Sequence, residues 1–97
     1  MVIGVGENLI FRGFNSNNKE QLILYNTDTD KEQQLLEPGK FSPYSFIYIQ
    51  ESNIVMFDAY RYEDGEYVIG QINLDTHVVT TTKAGNIKRL ENFQALN

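Results

Sequence analysis

Tyr25-Asn26-Thr27-Asp28-Thr29 recurs later in the chain as Ile72-Asn73-Leu74-Asp75-Thr76, 47 residues further on. Upstream of both copies, Asn8-Leu9-Ile10-Phe11 is matched by Asn53-Ile54-Val55-Met56 at a distance of 45 residues. A spacing this constant is typical of a structural repeat, in which each copy forms one supersecondary unit. The sequence therefore predicts a single unit that occurs twice.

Short apolar runs separated by turn-forming residues make up both copies. Leu22 to Tyr25 and Ile54 to Phe57 are rich in β-branched and aromatic side chains, and each run is too short to form a helix by itself. Between the runs, Pro38-Gly39 suits a type II turn and Asp64-Gly65 suits a hairpin. We predict strands A to D in each copy, at 1–6, 8–14, 20–27 and 31–36, then at 44–50, 53–60, 66–73 and 77–83.

The D strands are polar, unlike the apolar B and C strands. The first is Lys31-Glu32-Gln33-Gln34, and the second, from His77 to Thr82, is rich in threonine. Charged and polar side chains at a sheet edge discourage the addition of further strands. Each copy is therefore predicted to be a four-stranded antiparallel meander with strand D at an exposed edge.

Length and composition are those of one small folded domain. The chain has 97 residues, of which 41% are hydrophobic and 22% charged, and these are ordinary values for a globular protein. We predict a single all-β domain over residues 1–97, with repeat 1 at about 1–40 and repeat 2 at about 44–86. Residues 87–97 fit a strand or a helix, because large apolar residues recur there at every third position.

Charge, hydropathy and cysteine content argue against several classes of function. The net charge is −5 and the eight lysines and arginines are scattered, which is unfavourable for binding nucleic-acid phosphates. No apolar run approaches the roughly 18 residues that a membrane helix needs. The chain has no cysteine, which removes disulfides, thiolate catalysis and cysteine-based zinc sites. We expect a soluble, cytoplasmic protein that binds neither nucleic acid nor membranes.

No arrangement of catalytic residues stands out in the sequence. His77 is the only histidine, and its position at the start of a D strand predicts a solvent-facing side chain. General acid–base work requires a partner positioned beside the histidine, and no serine lies in a nucleophile-elbow context. We therefore expect that the protein is not an enzyme and that it uses no cofactor.

One segment follows the spacing of a calcium-binding loop. Asn26, Asp28, Asp30 and Glu37 fall at ligand positions of such a loop, but Lys31 stands where its sharp turn requires glycine. We expect no metal site here. Asp28, like its counterpart Asp75 in the second copy, is instead expected to bend the chain in an Asx turn.

The aromatic group Tyr60-Arg61-Tyr62 is the best candidate for a binding site. Tyrosine and arginine offer amphipathic contact surface with little loss of conformational entropy. In a meander, the B–C turns and the D–A connections emerge at one end, which gathers Phe14 to Lys19, Pro38 to Phe41, Tyr60 to Glu66 and residues 85–88. We therefore predict a protein-binding surface at that end, formed by Tyr60, Arg61, Tyr62, Phe41 and Phe14.

The order of these motifs resembles the blades of β-propellers, particularly the TolB-like and WD40-like PD40 type. In such blades an Ile-x-Phe strand precedes a strand that ends in a Tyr-x-x-Asp-x-x-Thr-like turn, and a polar strand follows. The matching pieces are Asn8 to Phe11 with Leu24 to Thr29, Asn53 to Phe57 with Ile72 to Thr76, and the entry segment Phe41 to Ser45. The resemblance implies propeller-like blades and a non-catalytic protein-interaction or assembly module.

Two blades are fewer than the roughly four that close a propeller ring. The chain is then a fragment of a longer propeller, completes a ring by self-association, or is not a propeller. In the last case the strands could close into a small up-and-down barrel that binds an apolar ligand. A small acidic inhibitor protein is a further alternative. Because blades gain stability by stacking on neighbours, we expect a homo-oligomer with protein partners.

Overall fold

The computed structural model describes residues 2–84, which form two antiparallel sheets of four strands each. Sheet 1 contains β1 (Val2–Val5), β2 (Asn8–Phe14), β3 (Glu20–Asn26) and β4 (Lys31–Gln34), and sheet 2 contains β5 (Phe41–Ile49), β6 (Ile54–Arg61), β7 (Glu66–Asn73) and β8 (Val79–Lys83). Every strand pairs with its neighbour along the chain. The all-β class and the two meanders are confirmed. The predicted strand or helix at 87–97 lies outside the described residues, as do residues 85–88 of the predicted surface.

The sheets remain open. Within residues 2–84 the strand order is β1-β2-β3-β4 and β5-β6-β7-β8, and no closed barrel forms. The polar strand β4 lies at a sheet edge with all its residues exposed, and β8 lies at the other sheet's edge, as predicted. The main interpretation of two meander units is therefore confirmed over the barrel alternative.

Strand β5 begins three residues earlier than predicted. It starts at Phe41, and Pro43 pairs opposite Ala59 at the edge of sheet 2, where no neighbouring strand requires its missing N–H. A shift in register between Pro43 and Ser45 marks a β-bulge, which lets the strand continue beyond the proline. The sequence prediction began this strand at residue 44 and interpreted Phe41 to Ser45 as the entry segment of a blade.

The turns that follow the C strands have the same structure in both copies. Asn26 Oδ1 accepts backbone N–H groups from Asp28 and Thr29 at 2.9 and 3.0 Å. Asn73 Oδ1 accepts the two corresponding bonds at 2.9 and 3.1 Å. We predicted that Asp28 and Asp75 form the Asx turns, but the side chains of Asn26 and Asn73 form them. In an Asx turn, the side chain accepts a hydrogen bond from the amide two residues later.

These matching turns establish which residues of the two sheets are equivalent. Asn26 and Asn73 hold the same position, and they pair with Asn8 and Ile54, respectively. Asn8 and Ile54 are therefore equivalent, at a distance of 46 residues rather than the 45 of the motif match. The repeated sheet unit predicted from the sequence is confirmed, with the B strands shifted by one residue.

The sheets pack through faces that are not equivalent. Sheet 1 buries Ile10 and Leu22, whereas sheet 2 buries Val55 and its neighbours on the same face. By the strand pairing, Val55 is equivalent to Leu9, which points to the opposite face of β2 from Ile10. Sheets related by a two-fold axis would bury equivalent faces. The two sheets are therefore stacked head to tail.

The core lies between the sheets and includes the connection from β4 to β5. Gln21 fixes that connection, because its side-chain amide donates to Leu36 O at 2.7 Å and accepts from Leu36 N at 3.1 Å. The ring of Phe41 meets that of Phe57 edge-on, with centroids 5.8 Å apart. The buried apolar cluster comprises Ile10, Leu22, Leu35, Leu36, Phe41, Phe46, Val55, Phe57, Ala59, Val68 and Ile72.

Candidate binding surfaces

Three of the five predicted binding residues are exposed at the end of the molecule that carries the B–C turns. Phe14, Tyr60 and Tyr62 are 64%, 37% and 50% exposed, respectively. The rings of Tyr60 and Tyr62 meet edge to face, with centroids 5.2 Å apart and planes 79° apart. Edge-to-face contact orders the two rings relative to each other. This end, named the aromatic end, therefore presents a preformed pair of tyrosines.

Tyr62 is held in place by sheet 1. Its hydroxyl donates to Glu20 Oε1 at 3.1 Å, and its backbone N–H donates to Lys40 O at 3.0 Å. Ser42 Oγ donates to the other oxygen of the Glu20 carboxylate at 2.6 Å. Glu20 on β3 thereby connects sheet 1 to both β5 and the β6–β7 turn. An open depression bordered by Pro38, Lys40 and Tyr62 lies beside this connection.

Arg61 is engaged within the molecule rather than available to a partner. Its Nε and Nη2 donate to the two oxygens of Asp64 at 3.0 and 2.6 Å, and its Nη1 donates to Thr81 Oγ1 at 2.9 Å. A bidentate arginine–carboxylate pair fixes both groups geometrically. Arg61 thus shapes the turn that displays Tyr60 and Tyr62.

This ion pair predicts a specific dependence of stability on pH. The hydrogen bonds from Arg61 lower the pKa of Asp64 from 3.8 to about 2. Because the folded-state pKa lies below the unfolded one, the pair stabilises the fold above about pH 4 and loses this contribution as the pH falls towards 2. We expect Asp64→Asn to lower the melting temperature slightly above pH 4 and to converge with the wild type below it.

The matched control for this titration is Glu63→Gln, which removes a carboxylate from the same turn without breaking the Arg61 pair. The melting temperature of Asp64→Asn should lie below that of Glu63→Gln above about pH 4, and this difference should shrink as the pH falls towards 2. A difference between Asp64→Asn and the wild type that is constant over the whole range would contradict the proposed role of the pair.

Phe41 is buried, contrary to its prediction as part of a binding surface. It is 4% exposed and belongs to the core cluster, where it contacts the ring of Phe57. The prediction followed from its position beside the Pro38-Gly39 turn. The strand begins at Phe41 itself and directs this side chain towards sheet 1, so the ring supports the aromatic end from beneath.

A buried polar cluster on sheet 2 was not predicted. Asp58 is fully buried and accepts hydrogen bonds from Ser45 N at 2.9 Å, from Ser45 Oγ at 2.6 Å and from the hydroxyl of Tyr67. The ring of Tyr67 lies beside that of Tyr44. The sequence signal for this cluster is a lone carboxylate within an otherwise apolar strand. Ser45 and Asp58 have no histidine beside them, and the cluster is best explained as a satisfied structural network.

Both sheets carry an apolar outer face, whose residues the sequence prediction did not name. Val2 and Ile47 are 61% and 37% exposed, respectively, and each lies on the face of its sheet that is turned away from the core. No other strand of residues 2–84 covers either face. Outer face 1 includes Val2, Leu9, Phe11 and Tyr25, beside the buried Gln21 and Ile23 of the same face. Outer face 2 consists of Ile47, Ile49, Ile54, Met56 and Ile69.

The end of the molecule opposite the aromatic end is acidic. Its four turns, at 6–7, 27–30, 50–53 and 74–78, contain five carboxylates and no lysine or arginine. Among residues 2–84, no group of three or more acidic or histidine side chains is arranged to hold a metal ion. The carboxylates therefore give this end its charge without forming a chelating site.

His77 lies in one of these turns rather than in strand β8, which begins at Val79. Its φ is 63°, and Asp30 occupies the equivalent position in the first copy with φ 57°. Gln33 Nε2 donates to His77 Nδ1 at 2.6 Å, which links the two sheets at this end. The side chain is exposed, as predicted.

Comparison with protein-family models, curated proteins and solved structures finds no match for this chain. In the described part of the chain, no helix is long and apolar enough to cross a membrane. The two outer faces and the aromatic end are the candidate binding surfaces of the described residues.

Proposed function

We propose that this protein is a non-catalytic assembly module, built from two propeller-like blades, that associates with further copies of itself through its outer sheet faces. The observation that supports this most directly is the head-to-tail stacking of two repeated sheets. A stack of this kind has two open ends. Sheet 1 leaves exposed the type of face that sheet 2 buries, and sheet 2 leaves exposed the type of face that sheet 1 buries. Repeat units of this kind gain stability when a further unit covers the end.

The composition of the open ends supports the same function. The apolar residues named for outer faces 1 and 2 lie outside the buried core cluster, and on outer face 2 they have polar neighbours such as Gln71 and Thr80. Removing apolar surface from water contributes roughly 25 cal/mol per Å². Contiguous apolar patches of several hundred Å² on a protein surface mark sites of interaction. Covering these faces with another sheet is therefore favourable.

The aromatic end adds a border to outer face 2. Tyr60 lies on the same face of β6 as Met56, and it is in contact with Tyr62 beyond the end of the strand. Tyrosine combines apolar area with a hydroxyl that remains hydrated, which suits the edge of an interface. In the proposed function, Tyr60 and Tyr62 contact the partner at the margin. Phe14, the equivalent of Tyr60, lies on the face of β2 that carries Ile10 and so borders the interface within the chain.

Light scattering coupled to size-exclusion chromatography tests this function. We expect the wild-type chain, whose monomer mass is 11.2 kDa, to elute as an oligomer at high concentration and to dissociate progressively on dilution. Dissociation on dilution is expected because the contact between copies is not covalent and follows mass action. A compact monomer at every concentration would overturn the proposed function.

A further inference from the structure

We infer that copies of this protein join head to tail, with outer face 2 of one copy packed on outer face 1 of the next. This inference rests on the proposed function and identifies the two surfaces that meet. The partner is a second copy of the same chain, because the contact continues the sheet-to-sheet interface that each chain already contains. The strand pairing supports the role of outer face 2 and the role of outer face 1 independently.

Outer face 2 presents the residues that are equivalent to those buried by sheet 1. By the strand pairing, Met56 occupies the position of Ile10, and Ile69 occupies the position of Leu22. Ile10 and Leu22 are fully buried in the core between the sheets. Sheet 2 therefore carries, on its outer side, apolar residues at two positions that sheet 1 uses to contact its neighbour, whereas Gln71 replaces Leu24 at a third.

Outer face 1 presents the other half of the same interface. Leu9 occupies the position of Val55, and Phe11 that of Phe57. Val55 and Phe57 are fully buried against sheet 1. Within each chain, a surface of the first type packs on a surface of the second type. The two open faces of the chain thus share apolar positions with the two surfaces of the internal interface, and two copies can bring them together.

One group of hydrogen bonds of the internal interface has no counterpart between copies. Arg12 Nη1 donates to Pro43 O at 3.3 Å and to Tyr44 O at 3.0 Å, which joins sheet 1 to sheet 2. The residue equivalent to Arg12 on outer face 2 is Asp58, which is buried within its own sheet and bonded to Ser45. The contact between copies is therefore weaker than the internal one.

A head-to-tail contact leaves each joined copy with one free face. The assembly then closes into a ring if the rotation between copies permits it, and otherwise grows as a filament. Blocking one face of a copy stops growth on that side only. The other face stays available, and this asymmetry distinguishes a head-to-tail contact from a symmetric one.

Two complementary variants use this asymmetry. Val2→Lys blocks outer face 1 and Ile47→Lys blocks outer face 2, and both residues are exposed, so the core is spared. We expect each variant alone to be monomeric and their equimolar mixture to form a dimer of twice the monomer mass. The matched control is Val78→Lys, which replaces an exposed apolar residue of a turn outside both faces. It should assemble as the wild type does.

The possible outcomes separate this inference from the proposed function. A wild-type monomer at all concentrations overturns both. A wild-type oligomer in which either lysine variant still pairs with itself overturns the head-to-tail contact alone, because a symmetric interface needs only one type of face. The same conclusion follows if the mixture stays monomeric or if both variants assemble normally. A native circular dichroism spectrum and a cooperative thermal transition of each variant exclude misfolding as the cause.

Cross-linking provides a second measurement that does not depend on affinity. The described chain contains no free cysteine, so Leu9→Cys and Met56→Cys each introduce a single reactive site. We expect a short thiol-specific cross-linker to join the two variants when they are mixed and to join neither with itself. Val78→Cys mixed with Met56→Cys is the control. Self-linking of either variant at the yield of the mixture would overturn the inference.

Discussion

Val55→Asp is expected to abolish folding. Val55 is fully buried in β6, between Tyr48 on one side and Ile72 on the other. A carboxylate at this position has no hydrogen-bond donor to compensate for its burial, which costs several kcal/mol. The whole stability of a domain is only about 5–15 kcal/mol. We therefore expect the far-ultraviolet circular dichroism spectrum of an unfolded chain and no thermal transition.

The control for this substitution is Val55→Ala, which removes two methyl groups without adding charge. It should lower the free energy of unfolding by about 1–3 kcal/mol and leave a cooperative transition. If Val55→Asp melted at the wild-type temperature, Val55 would not be a core residue, and the assignment of the buried face of sheet 2 would be wrong.

Gly70→Ala is expected to destabilise the fold strongly, although it adds only one methyl group. A Cβ atom at Gly70 would lie 2.3 Å from Cζ of Phe57 and 2.5 Å from its Cε1. The Phe57 ring is fully buried and is held from another side by Phe41. Overpacking of a filled core costs about 1–3 kcal/mol. Urea denaturation should show a lower midpoint with an unchanged slope.

Two further variants identify the clash as the cause. Gly4→Ala is the matched control, since a Cβ there meets nothing within 4 Å, and it should have little effect. Phe57→Leu removes the ring, so Gly70→Ala should cost much less in that background than in the wild type. Strict additivity of the two changes would show that Gly70 and Phe57 are not energetically coupled.

The strands could be predicted from the sequence because local signals determine them. Apolar runs such as Leu22 to Tyr25 mark strands whichever face they bury, and Pro38-Gly39 ends one unit, with φ 76° at Gly39. The packing of the sheets depends on register, which local signals do not contain. The motif match aligned Ile10 with Val55, because similarity between side chains follows burial. That alignment is one residue from the structural one, and a one-residue shift exchanges the two faces of a strand.

The exposed residues of the aromatic end could be predicted because side chains beside a turn at the end of a strand are commonly exposed. Tyr60 and Tyr62 flank the end of a strand beside a turn, and both are exposed there. Arg61 finds its partner only three residues away, at Asp64, and this pair was visible in the sequence as an opposite charge across a turn. The burial of Phe41 depends on its packing against Phe57, 16 residues away in the sequence. No local pattern reports such a contact.

Folding of this chain requires only one encounter between segments that are distant in sequence. Paired strands are joined by loops of two to five residues, and closing such short loops costs little chain entropy. Contacts between sequence neighbours also form rapidly. Each meander can therefore assemble by itself, and the slow event is the docking of one sheet on the other.

Docking is also the step at which neighbouring molecules compete. A newly formed sheet 1 exposes Ile10 and Leu22, and these residues fit sheet 2 of any chain in the solution, including its own. The connection at 35–40 favours the intramolecular partner by keeping it at a high effective concentration. As protein concentration rises, this advantage shrinks, and we expect refolding yields to decline through exchange of sheets between chains. The same contact, between sheet 1 and sheet 2, therefore completes folding when it forms within one chain and causes misassembly when it forms between two chains.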